Sequence, residues 1–235
     1  MSPKKSSPLM PEEEGRARIL AALKPIETVE ELPLSQVRGR VLARPVEARR
    51  TQPPADMSAM DGYAVRAKDV RAAGARLRLI GESAAGHPFA GIVGAGETVR
   101  IFTGAEIPEG ADAILIQENT ERDGDTVVAS APVETGRHIR RRGHDFREKE
   151  IVLEAGVRLA PRHLALAAAA DHGALAVTAR PRIALFATGD ELVAAGTADA
   201  HPGAIVDSNG PALAALIEAA GGRLVHRGRL KDTPA

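Results

Sequence analysis

Apolar positions change their rhythm several times along the chain. From Glu12 to about Leu23, the residues Ile19, Leu20 and Leu23 recur at helical spacing behind an acidic first turn, which the helix dipole favours, and Pro25 ends the run. Between Ala75 and Ala131 short runs such as "RLRLI", "TVRIF", "AILIQ" and "TVVAS" alternate with glycine-rich turns. This predicts a compact β-rich segment with a hairpin turn at Asp123-Gly124. Pro161 suits the first turn of a second helix through "RHLALAAAADH", with Gly173 placed as its left-handed cap. "RIALFA", from Arg182, is a continuous apolar run of the kind that a strand buried on both faces requires.

"DSNGPALAALIEAAGG" then predicts a helix capped by Ser208 or Asn209, with Pro211 near the first turn and Leu213, Leu216, Ile217 and Ala220 on one stripe. "RLVHRGRL" closes a strand, crossover helix, strand unit, parallel and right-handed. Two parallel strands and one helix leave a sheet face uncovered, so the unit is expected to be truncated, with the rest supplied by a longer chain, by a partner, or not at all. Accordingly, residues 181–235 are expected to exchange amide hydrogens faster than residues 76–131. The fold class expected is α/β plus β.

Composition narrows the function classes. Lysine plus arginine equals aspartate plus glutamate at 31 each, so no global field would hold the chain on nucleic acid or an anionic membrane. Cysteine is absent, which removes disulfides and thiolate metal sites and fits a reducing compartment, the cytoplasm being the default. The start, "MSPKKSSPLMPEEEG", lacks the apolar core of a signal peptide, and residues 1–11 are expected to form a disordered tail. No apolar run is long enough to span a bilayer.

Candidate chemistry lies in four places. Asp190 and Glu191 follow the first parallel strand and Asp232 follows the second, where ligands of open α/β sheets bind; such carboxylates suit a hard cation such as magnesium, or cap a turn. "GRHIRRRGHDF" holds Arg140 and Arg142, whose forks suit phosphate, and Asp145, which could instead neutralise one arginine; a solvated loop is the bland alternative. Thr103 sits in a Thr-Gly turn. "PPADMSAMDGYAVR", residues 53–66, reads as a stiffened linker in which Asp61-Gly62 makes a tight turn before the chain's one tyrosine, Tyr63.

In order, "DMSAMDGYAVR", "RIFTGAEIPEGADAILIQE", "IRRRGHDF", "IALFATGDEL" and "VDSNGPAL" resemble the molybdopterin molybdenumtransferase family, which includes the gephyrin E region, from about residue 12 onward. The resemblance implies an elongated homodimer. Residues 12–54 and 132–180 would form a helical and extended linking domain, 55–131 a β-rich lid inserted in it, and 181–235 the start of an α/β molybdopterin-binding domain. It implies insertion of molybdenum from molybdate into adenylylated molybdopterin with release of AMP, assisted by Mg2+, and molybdopterin adenylyltransferase as a partner.

By motif match, Asp61, Thr103, Asp145 and Glu191 would be catalytic. Arg140, Arg142, Thr188, Gly189 and Ser208 would bind the pterin substrate, and Asp190, Glu191 and Asp232 the metal. Asp61 would serve a neighbour's cleft, with Tyr63 packing behind it. Met57 stands where the family usually has asparagine, and Val206 where it commonly has tyrosine. The family's glycine-rich "GGxSxG" loop, a later acidic Asp-Tyr segment and last domain have no counterpart here, so the chain alone is expected not to insert molybdenum. Two alternatives stay open: a noncatalytic pterin-binding or dimerisation fragment, and an unrelated α/β module for a phosphorylated metabolite.

Overall fold

The computed structural model describes residues 10–197, 199 and 202–232; the tail expected at residues 1–11 lies mostly outside them. The chain opens with α1 (Glu12–Ala22), β1 (Val29–Pro33) and β2 (Val46–Glu47). A β-rich stretch follows: β3 (Met57–Ser58), β4 (Gly62–Val65), β5 (Arg76–Ser83), β6 (Glu97–Ile101), β7 (Ala113–Ile116), β8 (Thr120–Asp123) and β9 (Thr126–Ala129). β10 (Ile139–Arg140), β11 (Ile151–Leu153), α2 (Pro161–Ala169) and β12 (Ala174–Thr178) return to the first part. Last come β13 (Arg182–Thr188), β14 (Leu192–Val193), β15 (Ile205–Val206), α3 (Asn209–Ala219) and β16 (Arg223–Leu230). The fold is mixed α/β with few helices. Among the described residues no helix is long and apolar enough to cross a membrane.

Six strands form one sheet in the order β7-β4-β6-β5-β9-β8. β4 is buried along its whole length because both of its faces are covered. Tyr63 and Val65 join Leu77, Ala113, Leu115 and Val127 in one core, while Ala64 joins Val93, Val99, Ile101 and Ile114 in another. Within the stretch read from sequence as a linker with a tight Asp61-Gly62 turn, Gly62–Val65 is therefore the most enclosed strand of the sheet, and the chain bends at residues 59–61 just before it. Gly62 is needed for closeness rather than for turning: a Cβ there would lie 2.2 Å from the carbonyl oxygen of Leu115. The predicted hairpin joins β8 to β9, with Gly124 (φ 56) and Asp125 at its tip, one residue later than expected.

A separate core gathers Val37, Leu42, Val46, Leu159, Ala167 and Val177 around β1-β12, β2-β11 and α2. α2 ends before Gly173: Asp171, at φ 71, takes the left-handed position, and the N–H groups of Asp171 and His172 bond back to the carbonyls of Ala168 and Ala167. Aspartate tolerates this conformation better than most residues. α1 forms where predicted, but among the described residues nothing covers it; Ile19 is 64 % exposed and Leu20 61 %.

β13 and β16 pair in parallel, joined through α3. The expectation that β13 is buried on both faces is not met among the described residues. Its side chains alternate between exposed and half-buried, and Phe186 is 46 % exposed, because α3 is the helix that packs on this strand pair. Arg158 ties this unit to the preceding core by donating from Nη2 to the carbonyl of Ala219, in the last turn of α3 (3.0 Å).

Candidate functional site

Asp61 is held by a turn that the sheet positions. Thr103, just beyond β6, donates both its backbone N–H (2.7 Å) and its hydroxyl (2.8 Å) to Asp61 Oδ1. These bonds, the backbone one foremost, hold the carboxyl below its ordinary value, with the charge of Arg100 adding to the effect. Arg100 braces the arrangement: its guanidinium lies over the rings of Tyr63 (5.1 Å) and Phe102 (4.9 Å), and donates to Gly62 O and Gln117 Oε1. Tyr63 thus packs behind Asp61 through Arg100. Asp61 Oδ2 takes no protein hydrogen bond among the described residues, so the site presents an ionised carboxylate with one oxygen open.

The arginine loop reaches the same region through a short antiparallel pair, β3 with β10. The neutralising carboxylate there is Asp56, not Asp145. Arg141 Nη1 donates to Asp56 Oδ2 (2.6 Å) and the Arg142 backbone N–H to Oδ1 (2.8 Å). These contacts, led by the Arg142 N–H, hold Asp56 below its ordinary value against the opposing effect of burial. Arg142 donates its Nε to the carbonyl of Pro54 (3.0 Å), which fastens the loop. A pocket of about 230 Å³ remains, lined by Pro53, Met57, Thr103, Arg140 and Asp145 among others. Four expected residues thus meet at one place: Thr103, Arg140 and Asp145 around the pocket, and Asp61 bonded to Thr103.

The remaining expected residues lie at the carboxyl ends of β13 and β16. The Asp232 N–H points at Asp190 Oδ1 over 3.4 Å, and Gly189 N–H at Leu230 O over 3.3 Å. Gly189 (φ 144) leaves room for the Glu191 carboxylate, since a Cβ on it would lie 2.8 Å from Glu191 Oε2. The three carboxylates do not converge: among the described residues no three His, Cys, Asp or Glu side chains are grouped to hold a metal ion. Their backbones are neighbours, but one side chain folds over its own turn. Thr188 and Ser208 line a second pocket, of about 310 Å³, with Phe186, Asp207, Gly210 and Arg227.

Asp207 is the residue that sequence reasoning missed. It caps α3 in place of Ser208 or Asn209, accepting the Gly210 N–H at Oδ1 (2.8 Å) and Arg227 Nη2 at Oδ2 (3.3 Å). The signal was present in "DSNG", an aspartate three residues before the N–H it accepts. Those bonds, the backbone one foremost, lower its carboxyl too. Asp56, Asp61 and Asp207 all titrate below the ordinary 3.8, so the stability they contribute is complete above that value and is lost as pH falls through the lower folded values. An Asp56→Asn, Asp207→Asn double variant is therefore expected to have a lower urea midpoint at neutral pH. Its decline from about pH 4 to about pH 2 should be shallower than that of the parent. Parallel acid profiles would contradict the assignment.

No hydrogen bond or ion pair among the described residues joins the pocket beside Thr103 to the strand-end pocket. The family model described as MoeA N-terminal region (domain I and II) matches residues 10–170. The chain belongs to this family. A molybdopterin molybdenumtransferase from Nostoc is 38 % identical over 202 residues, covering 83 % of this chain and 46 % of the relative. One from Haemophilus influenzae is 34 % identical over 224 residues, covering 95 % and 55 %. The crystal structure of the molybdopterin biosynthesis moeA protein from Pyrococcus horikoshii OT3 superposes with a TM-score of 0.88 at 33 % identity, covering 96 % of this chain and 61 % of that one. The chain spans about half the length of the curated relatives it matches.

Proposed function

We propose that this chain supplies the lid and linking parts of a molybdopterin molybdenumtransferase. This enzyme of molybdenum cofactor biosynthesis transfers molybdenum from molybdate to adenylylated molybdopterin and releases AMP. Besides family membership, one observation carries the reading: an ionised carboxylate, Asp61, fixed by Thr103 beside a pocket that holds Arg140 and Asp145. In this reading Arg140 orients an oxyanion or phosphate through its fork. Asp61 takes or gives a proton at Oδ2, and Asp145 sets the charge of the pocket wall. Thr188, Gly189 and Ser208 contact the pterin substrate at the strand ends. Glu191 is the catalytic carboxylate at the strand ends; together with Asp190 and Asp232 it does not converge into a metal centre among the described residues, so no Mg2+ role is built on the three.

The proposed assembly is a homodimer, in which the lid pocket of one chain faces the strand-end pocket of the other. The exposed apolar residues Ile19 and Leu20 of α1 and Leu23 just after it supply surface for such pairing. The proposed setting is the cytoplasm, with molybdopterin adenylyltransferase delivering the substrate. Complementation tests the shared site. In a protein spanning the relatives' full length, Asp61→Ala and Glu191→Gln subunits are mixed, heterodimers are verified, and AMP release is followed. One intact composite site per heterodimer should restore part of the activity. A mixture no better than either variant would rule out a site built across the dimer.

A further inference from the structure

We propose a second anion site at the opposite end of the parallel strands, built to take a phosphate-bearing small molecule. An open cleft of about 740 Å³ lies where β1 and β12 meet the starts of β13 and β16. Arg40, Arg180, Arg182 and Arg223 line it, together with Glu30 and Ile26. The carboxylate in the lining is already engaged: Glu30 pairs with Arg40, which is 8 % exposed and also donates to the carbonyl of Thr178 (2.9 Å). Arg40 is thereby fixed in place as a buried wall of the cleft. Arg180, Arg182 and Arg223 are exposed and form no ion pair among the described residues.

Register sharpens the point. Arg182 and Arg223 are direct partners across the β13-β16 pair, locked there by the Arg223 N–H to Pro181 O bond (2.8 Å). Neighbouring strands lie about 4.8 Å apart, and like charges placed opposite each other destabilise a sheet. An anion between the two guanidinium forks removes that repulsion, and phosphate matches the fork geometry with paired hydrogen bonds. Ile26 and Pro181 give the cleft an apolar wall against which an organic body could rest. β13 runs seven residues, roughly 20 Å, from this cleft to the Asp190 turn. Ligands of open sheets bind at that far end, so this cleft is additional to the proposed reaction site and independent of it.

Calorimetric titration of the chain with inorganic pyrophosphate, and in a second arm with ADP, tests the site. Saturable binding of one equivalent is expected, weakened roughly tenfold or more in an Arg182→Gln, Arg223→Gln double variant. Tighter binding of ADP would identify an esterified ligand, and equal binding an inorganic one. An Arg182→Lys, Arg223→Lys variant should fall between, because lysine keeps the charge without the fork. Arg76→Gln, an exposed arginine outside the cleft, should bind as the parent does. A urea midpoint close to the parent's confirms that the glutamine variant is folded; were it not, Arg180→Gln would be read in its place. Absence of saturable binding in both arms, or equal weakening by Arg76→Gln, overturns the proposal.

Discussion

Asp61→Asn is expected to lower molybdenum insertion roughly 100-fold in a protein spanning the relatives' full length, while lowering the urea midpoint only by what the charge adds to the two Thr103 bonds. The substitution is close to isosteric, and its amide oxygen can still accept the two bonds from Thr103. What disappears is the negative charge and the capacity to hold a proton at Oδ2. Thr103→Val separates the two contributions. It keeps the backbone donor, which has the larger effect on Asp61, and deletes the hydroxyl, so the Asp61 carboxyl should move partway back toward its ordinary value. The activity of that variant should accordingly acquire an acid limb at higher pH than the parent, in which Asp61 stays ionised to below 3.8. A residual rate within about threefold of the parent for Asp61→Asn would remove Asp61 from the chemistry, because a positioned proton-transfer group contributes far more.

Much of the fold was legible because period and punctuation agreed. α3 followed from its apolar stripe and from the glycine stop at Gly221, whose φ of 97 meets the left-handed requirement of a helix end. The parallel pair followed from the apolar run "RIALFA" and the strand-like "RLVHRGRL" on either side of that helix. The errors came where a residue's neighbours in space override its neighbours in sequence. Asp61-Gly62 looked like a turn because aspartate and glycine usually make one; here the glycine is demanded by the carbonyl of Leu115 on an adjacent strand, which the sequence places far away. Asp145 looked like the counterion of the arginine loop because it lies within it. The β3-β10 pairing instead brings Asp56 across to Arg141 and Arg142. In the site, Asp61 and Thr103 were named separately from two motifs, and their direct bonds to each other depend on how the ends of β4 and β6 lie side by side.

Gly62→Ala is expected to destabilise the protein by about 1–3 kcal/mol, the range for forcing an extra methyl group into a close-packed interior. The added Cβ would sit 2.2 Å from Leu115 O and 2.9 Å from Ile116 Cα, both backbone atoms of β7 with no side-chain freedom to yield. β4 is hydrogen-bonded to β6 on one side and β7 on the other and is buried on both faces, so it cannot move away without opening a core. Gly173→Ala is the matched control. Its Cβ would meet nothing within 4 Å and its φ is not left-handed, so that change should be neutral or mildly stabilising through the unfolded chain. Urea unfolding of both variants at unchanged m value reads the difference as a shift in midpoint. The loss should reach the site as well. β7 is held to Asp61 by the Gln117 N–H to Asp61 O bond (3.2 Å), and a displaced β4 carries the Asp61 carboxylate off Thr103. Gly62→Ala should therefore raise the Asp61 carboxyl toward its ordinary value even in the folded protein, which a carbon-detected NMR titration would register. A midpoint equal to that of Gly173→Ala would mean that β4 and β7 can separate at no cost, and the close approach of Gly62 to Leu115 would then not set the position of Asp61.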